Sequence, residues 1–430
     1  MDAAHGALKA WSAKTALERG KLLMNWHRLI EDHTDELALI MTTEQGKPLK
    51  EAAGEIAYAN SFIEWYAEEG KRIYGESIPA SAPNKRIWVL KQPVGVIAAI
   101  TPWNFPASMI TRKVAPALAA GCTVVFKPSE ETPYTALKLM ELAEQAGIPA
   151  GVLNAVTGDA AKIADAWQLD ERVRKISFTG STAVGKQLMK GAADTMKKIS
   201  LELGGHAPFI VTAHADMDQA VEGLIASKFR NAGQTCVCTN RVYVDESLAE
   251  EFAAKVAART AELKVGDGRD EGVEIGPLIN AKAVSKVLGQ IEDAKAKGAT
   301  VLTGGRALTE KEGFFIEPTI ITQASDDMDC MNDETFGPLA PITTFRTIDE
   351  VIKRANHSPY GLAAYVFTQD IREAVHIAES LEYGIVGLND PLPSTAQAPF
   401  GGFKQSGLGR EGGHFGIEEY LEVKYISLGI

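Results

Sequence analysis

Cysteine is scarce in this chain, four in 430 residues. No C-x-x-C or H-x-x-x-H spacing is present, and the only close pair, Cys236 and Cys238, supplies two ligands at most. A zinc centre of ordinary spacing is thereby excluded, and a disulfide-built secreted scaffold does not fit. Long hydrophobic runs are missing too. VGVIAAI, from Val94 to Ile100, stops at Thr101 and Pro102, far short of a membrane span. The first 23 residues carry charge throughout and have no apolar centre before a small-residue cleavage site, which argues against a secretory signal. Net positive charge is absent. A formal charge of -12 opposes nucleic acid and anionic membrane, so any anionic ligand must be met by local cations. The expectation is a cytoplasmic protein with no nucleic-acid, membrane or metal partner.

What is present is ordinary globular composition, 45% hydrophobic and 23% charged, in a chain too long for one core. Up to about Ala67, apolar residues recur at helical spacing (Leu8, Trp11, Leu22, Trp26, Leu29, Ile30, Leu37), with breaks at Gly46 and Pro48. RIWVLKQP then alternates like an exposed ribbon and leads into the buried run VGVIAAI. From there KVAPALAAG, CTVVFKP, TALKLMELAEQAG, GVLNAVTG and VRKISFTG alternate helix with strand, the pattern of a doubly wound parallel sheet. The alternation restarts after LELGG with APFIV, RVYVDE, PITTF and AAYVF, which places a domain boundary near Leu203.

FTGSTAVGKQ, Phe178 to Gln187, nearly makes a P-loop, but Gln187 stands where a magnesium-binding Ser or Thr is needed, so an NTPase reading is weak. The alternatives are a glycine turn of purely structural use and a loop whose backbone N–H groups and Ser181 meet a dinucleotide pyrophosphate at a helix N-terminus. In NAGQTCVCTN the cysteine pair admits a nucleophile, since a thiolate is the strongest such group a protein carries, or a disulfide.

TPWNFP at Thr101, KPSE at Lys127, FTGSTAVG, LELGG at Leu201, GQTC, ETFGP at Glu334 and PFGGFKQSGLGRE at Pro399 occur in order along the chain. Together they resemble the aldehyde dehydrogenase superfamily. ITRK around Arg112 and FRNAGQTCVC around Arg230 are most similar to its semialdehyde-oxidising branch, succinate-semialdehyde enzymes above all.

The resemblance implies an α/β fold of two doubly wound parallel-sheet domains plus a small bridging, oligomerisation β element. The expected division is 1–202 for cofactor, with 85–97 contributing to the bridging element; 203–384 for catalysis; and 385–430 as a return segment with the oligomerisation strand. It implies Cys236 as nucleophile, Glu202 as general base and Asn104 as oxyanion donor. Trp103, Lys127, Ser129, Glu130, Gly180, Ser181, Gly185, Leu203, Glu334 and Phe336 are implied around an NAD(P) cofactor. Glu130 can accept from a 2′-hydroxyl and repel a 2′-phosphate, which favours NAD over NADP.

Arg112, Arg230 and Ser394 are implied as carboxylate contacts, so the expected reaction is succinate semialdehyde to succinate, through a thiohemiacetal and thioester, in a homodimer or homotetramer. Glutarate or 2-oxoglutarate semialdehyde is the alternative substrate. Cys238 is then a neighbour placed to trap an oxidised Cys236 as a disulfide. The chain departs from the family in opening directly on its first helix and in carrying Pro391 and Pro393 in the loop before Phe400.

Overall fold

A computed structural model describes all 430 residues, Met1–Ile430. Four helices open the chain: Asp2–Ser12, Ala16–Asp32, Thr34–Gln45 and Leu49–Glu69. The third ends where Gly46 takes φ 96°, a left-handed C-cap, and Pro48 sets the start of the fourth. They bury Trp11, Trp26, Ile30, Phe62 and Ile63 in a core of 40 residues shared with the first large sheet. A second core of 46 residues is built on the other large sheet, so the two layers are hydrophobically independent.

The first sheet has six strands in the order Gly407–Leu408, Lys198–Glu202, Val173–Thr179, Val96–Ile100, Thr123–Lys127, Leu153–Ala155. All pairs are parallel except the short edge strand Gly407–Leu408. The chain builds outward from Val96–Ile100 on one side and then returns to its other side. The carboxyl ends of Val96–Ile100 and Val173–Thr179 therefore flank a topological switch point, where such sheets hold ligands.

The second sheet runs Thr300–Thr303, Thr319–Thr322, Leu339–Phe345, Thr239–Asp245, Ala207–Val211, Ala363–Phe367, Ile385–Leu388, parallel apart from its first pair. Lys198–Glu202 and Ala207–Val211 follow each other in sequence yet lie in different sheets. Between them Leu203, Gly204 and Gly205 carry the chain across.

Two segments sit differently from the sequence expectation. Val96 and Ile97, grouped above with the bridging element, lie inside the six-stranded sheet, because after Gly95 the run is apolar on both faces. Ile385–Leu388, grouped with the return segment, is an edge strand of the seven-stranded sheet, paired in parallel with Ala363–Phe367. The small sheet itself is antiparallel, Glu76–Ile78, Lys85–Pro93 and Leu421–Gly429. No helix of the chain is long and apolar enough to cross a membrane.

Candidate active site

Cys236 follows a short helical turn, Arg230–Gly233, in which Asn231 and Ala232 take φ 52° and 54°. Left-handed backbone at two consecutive non-glycine residues costs free energy and persists only where neighbours hold it. Here the neighbours are polar and buried. Asn231 donates from Nδ2 to the Asn104 carbonyl at 2.9 Å and accepts at Oδ1 from Gln45 at 2.9 Å, while its backbone N–H is taken by Glu51 at 2.9 Å.

The Asn104 carbonyl also receives the Lys47 ammonium at 2.8 Å. Lys47 pairs with Glu55 at 2.5 Å, both side chains 1% exposed, and Glu55 accepts the Ala107 and Ser108 N–H groups at 2.9 and 3.2 Å. Residues 45, 47, 51 and 55 thus tie the loop bearing Asn104 to the loop bearing Cys236. The Asn104 carboxamide gives one N–H to the Gln234 carbonyl at 3.0 Å and keeps a second for a ligand.

Two cavities meet at Cys236. One, of about 340 Å³, is lined by Tyr58, Phe105, Arg112, Arg230, Ser394 and Phe400 among others. The other, of about 380 Å³, lies over the switch point and is lined by Trp103, Asn104, Gly180, Ser181, Leu203, Glu334 and Phe336 among others. Cys236 lines both, so its sulfur stands between a ligand in one and a ligand in the other. Burial pushes its thiol up to about 12, with Arg112 pulling in the opposite direction. The nucleophile needs a base.

Glu202 ends the strand Lys198–Glu202, is 3% exposed, and its Oε2 has no hydrogen-bond partner. Burial, reinforced by the carboxylate of Glu411, raises its carboxyl well above the ordinary range. A carboxyl so raised binds a proton more readily than an ordinary one, which suits a general base. Burial pushes the Glu411 carboxyl up as well, but Lys113 and Arg112 pull it back below its ordinary value. Lys113 bonds to Glu411 and, at 2.5 Å, to Thr179 at the mouth of the switch point.

The switch-point cavity carries groups suited to the phosphate and ribose of a nucleotide. Ser181 caps the helix Thr182–Ala193, with Gly180 directly before it, so that helix offers free N–H groups to an anion at the cavity. Lys186, which a P-loop would turn to phosphate, is instead held by Gln405 at 2.7 Å. Glu334 accepts the Gly205 N–H at 2.9 Å, and burial pushes its carboxyl up to about 7. Phe336, at φ 53°, sets its ring edge-on to Trp103 at 5.6 Å.

Lys127, Ser129 and Glu130 do not line this cavity; they lie at the end of the neighbouring strand, where Thr101 N–H donates to the Lys127 carbonyl at 3.1 Å. There Lys127 is paired with the exposed Glu130 at 2.6 Å. Gly185 does not line it either. A Cβ at 185 would meet the Leu203 side chain at 2.5 Å, so this glycine serves helix-to-strand packing.

This arrangement places a thiol where two cavities meet, one of them at the switch point of a parallel sheet, and the profile of the Aldehyde dehydrogenase family matches residues 1–426. The chain belongs to the aldehyde dehydrogenase family. It is 56% identical to the succinate-semialdehyde dehydrogenase [NADP(+)] of Escherichia coli K12, over all of this chain and 89% of that one. It is equally 56% identical, with the same coverage, to the glutarate-semialdehyde dehydrogenase of Pseudomonas putida. A crystal structure described as an E. coli NADP-dependent enzyme superposes with a TM-score of 0.99 at 56% identity, covering the whole chain and 89% of that structure.

In this aldehyde dehydrogenase the two arginines of the aldehyde cavity differ. Arg112 is 2% exposed; its Nε donates to Glu411 at 2.8 Å and its guanidinium lies 3.9 Å from the Phe400 ring centre. A buried guanidinium requires a counter-charge, and Glu411 supplies it, so Arg112 is not an uncommitted fork. Arg230 has no carboxylate partner and stacks only on Phe105 at 5.4 Å. Cys238 is buried, donates from Sγ to the Gly233 carbonyl at 3.1 Å, and neighbours Lys228 at 3.9 Å; both cysteines are free thiols.

Sequence reasoning passed over Lys47, Glu51, Glu55, Tyr58, Lys113 and Glu411. A signal for three of them was there: Glu51, Glu55 and Tyr58 stand at i, i+4 and i+7 in Leu49–Glu69, a polar stripe on a helix that also carries the core residues Ile56, Phe62 and Ile63.

Proposed function

We propose that this enzyme oxidises a short aldehyde carrying a terminal carboxylate, succinate semialdehyde in the first place and glutarate semialdehyde as the alternative, with NAD(P) as hydride acceptor. The observation that carries the reading is Arg230, a guanidinium without an ion-pair partner, facing the cavity that ends at Cys236. A cation with that access attracts an anionic tail while the aldehyde end reaches the sulfur.

Cys236 attacks the carbonyl carbon as its thiolate, forming a thiohemiacetal. The Cys236 backbone N–H and the free N–H of Asn104 hold the oxyanion. The bound nicotinamide would accept the hydride, with Glu334 and Phe336 holding it over the switch point. The resulting thioester is hydrolysed by a water from which Glu202 takes the proton, releasing the acid and restoring the thiol.

Glu130 favours NAD, since its carboxylate can accept from a 2′-hydroxyl. Lys127 beside it offers a counter-charge to a 2′-phosphate, so NADP is accepted second; the E. coli relative is named for NADP(+). Replacing Glu130 with Ser frees Lys127, and the kcat/KM ratio for NADP over NAD should rise about tenfold, the worth of one charge-assisted contact. An unchanged ratio removes Glu130 from cofactor choice. The enzyme works in the cytoplasm as a homo-oligomer assembled on the small antiparallel sheet. Following NAD(P)H formation across carboxylated and plain aldehydes tests the substrate reading, and equal kcat/KM values for both groups would end it.

A further inference from the structure

The aldehyde cavity holds one more polar group that the fold leaves unsatisfied. Tyr58 lies on the helix Leu49–Glu69 with its ring edge-on to Phe62, centroids 5.0 Å apart at 74°. That packing anchors the ring, yet its hydroxyl is shielded from solvent and has no hydrogen-bond partner. Leaving a hydroxyl so placed is unfavourable, and a fold tolerates it where a ligand later meets the group. Burial also pushes the phenol above its ordinary value, with Arg112 and Arg230 acting against it, so the hydroxyl keeps its proton and remains a donor.

Around it stand Arg112, Arg230 and Ser394, lining the same cavity. Arg112 is committed to Glu411, whose Oε2 lies 2.8 Å from its Nε and 2.7 Å from its Nη2. Arg230 brings an unpaired charge. A carboxylate presents about four lone-pair sites, more than one guanidinium edge fills.

We propose that Tyr58 is a specificity-determining residue: its hydroxyl donates to the substrate carboxylate while Arg230 supplies the charge. This rests on the carboxylated-aldehyde reading above. A phenol adds discrimination without adding charge. When the bound aldehyde has no carboxylate, the hydroxyl stays buried and unpaired, and sites of this kind penalise the analogue lacking the group.

Steady-state kinetics with succinate semialdehyde and with butanal, of equal carbon count, test it in wild type, Tyr58→Phe and Arg230→Met, with thermal melting to show that each is folded. Tyr58→Phe should lower the kcat/KM preference for succinate semialdehyde over butanal about tenfold, through KM, in keeping with one hydrogen bond to a charged group. Arg230→Met should lower it further. If Arg230→Met erodes the preference and Tyr58→Phe does not, the Tyr58 proposal is overturned and the carboxylate reading stands. If neither changes the preference, both fall. Should Tyr58→Phe prove unfolded, Tyr58→His, which keeps a ring and a donor, must retain more of the preference than Tyr58→Leu, and equal loss in the two overturns the proposal.

Discussion

Glu202 and Cys236 are both raised by burial, and the two shifts serve different steps. A thiol pushed up to about 12 must lose its proton before it attacks the aldehyde, whereas a carboxyl raised by burial and by Glu411 is suited to take a proton from water at the later hydrolysis. Glu202→Gln keeps the shape and removes the base. Hydrolysis should slow by about two to four orders of magnitude, the usual worth of general base catalysis. Rapid mixing should still show a burst of NAD(P)H equal to the number of sites; a steady rate like wild type would exclude Glu202.

Glu334 adds a pH effect of definite sign. Its carboxyl is pushed up to about 7 by burial, and it accepts from ribose hydroxyls more strongly, and at both oxygens, when ionised. The cofactor KM should therefore rise as pH falls through about 7, and Glu334→Gln should flatten that rise.

At the scale of elements, Asn104 and Cys236, the proposed oxyanion donor and nucleophile, sit on loops from different sheets, and the helical N-terminal segment holds them in register. Lys47 and Glu55 are the centre of that clamp. Lys47→Met strands a buried carboxylate, which should cost about 3–5 kcal/mol of stability and lower kcat as the Asn104 loop loosens. Denaturant unfolding beside kinetics measures both, and unchanged stability would deny the clamp.

Apart from the Glu51 and Glu55 spacing, EQGKPLKEAAGE does not announce this role, because its contacts to the two loops span 52 to 186 residues of sequence. GQTC and LELGG were legible because each is a short contiguous motif that resembles the family's. The Arg112 to Glu411 pair spans 299 residues, which is why sequence reasoning treated Arg112 and Arg230 alike.

For the whole molecule, the three-stranded sheet leaves Leu421–Gly429 as a nine-residue edge strand with Val423 68% and Tyr425 61% exposed, and Trp88 and Leu90 exposed beside it. A long apolar edge is left open in few proteins unless another chain covers it. Val423→Glu with Tyr425→Glu should weaken self-association about a hundredfold or more, since each charge would be buried unpaired. Light scattering after size-exclusion chromatography reads the change, and a wild type already monomeric would refute assembly on this face.

The sequence by itself determined the alternating α/β pattern and the absence of any metal-ligand spacing, because short-range periodicity and residue spacing specify them, while its resemblance to the family implied the nucleophile, base and oxyanion donor. Only the tertiary structure decided that Cys236 stands at the junction of two cavities, that Arg230 is unpaired while Arg112 is not, and that Tyr58 offers an unsatisfied hydroxyl. Those properties depend on which distant side chains share a buried space, where low dielectric makes every missing partner count.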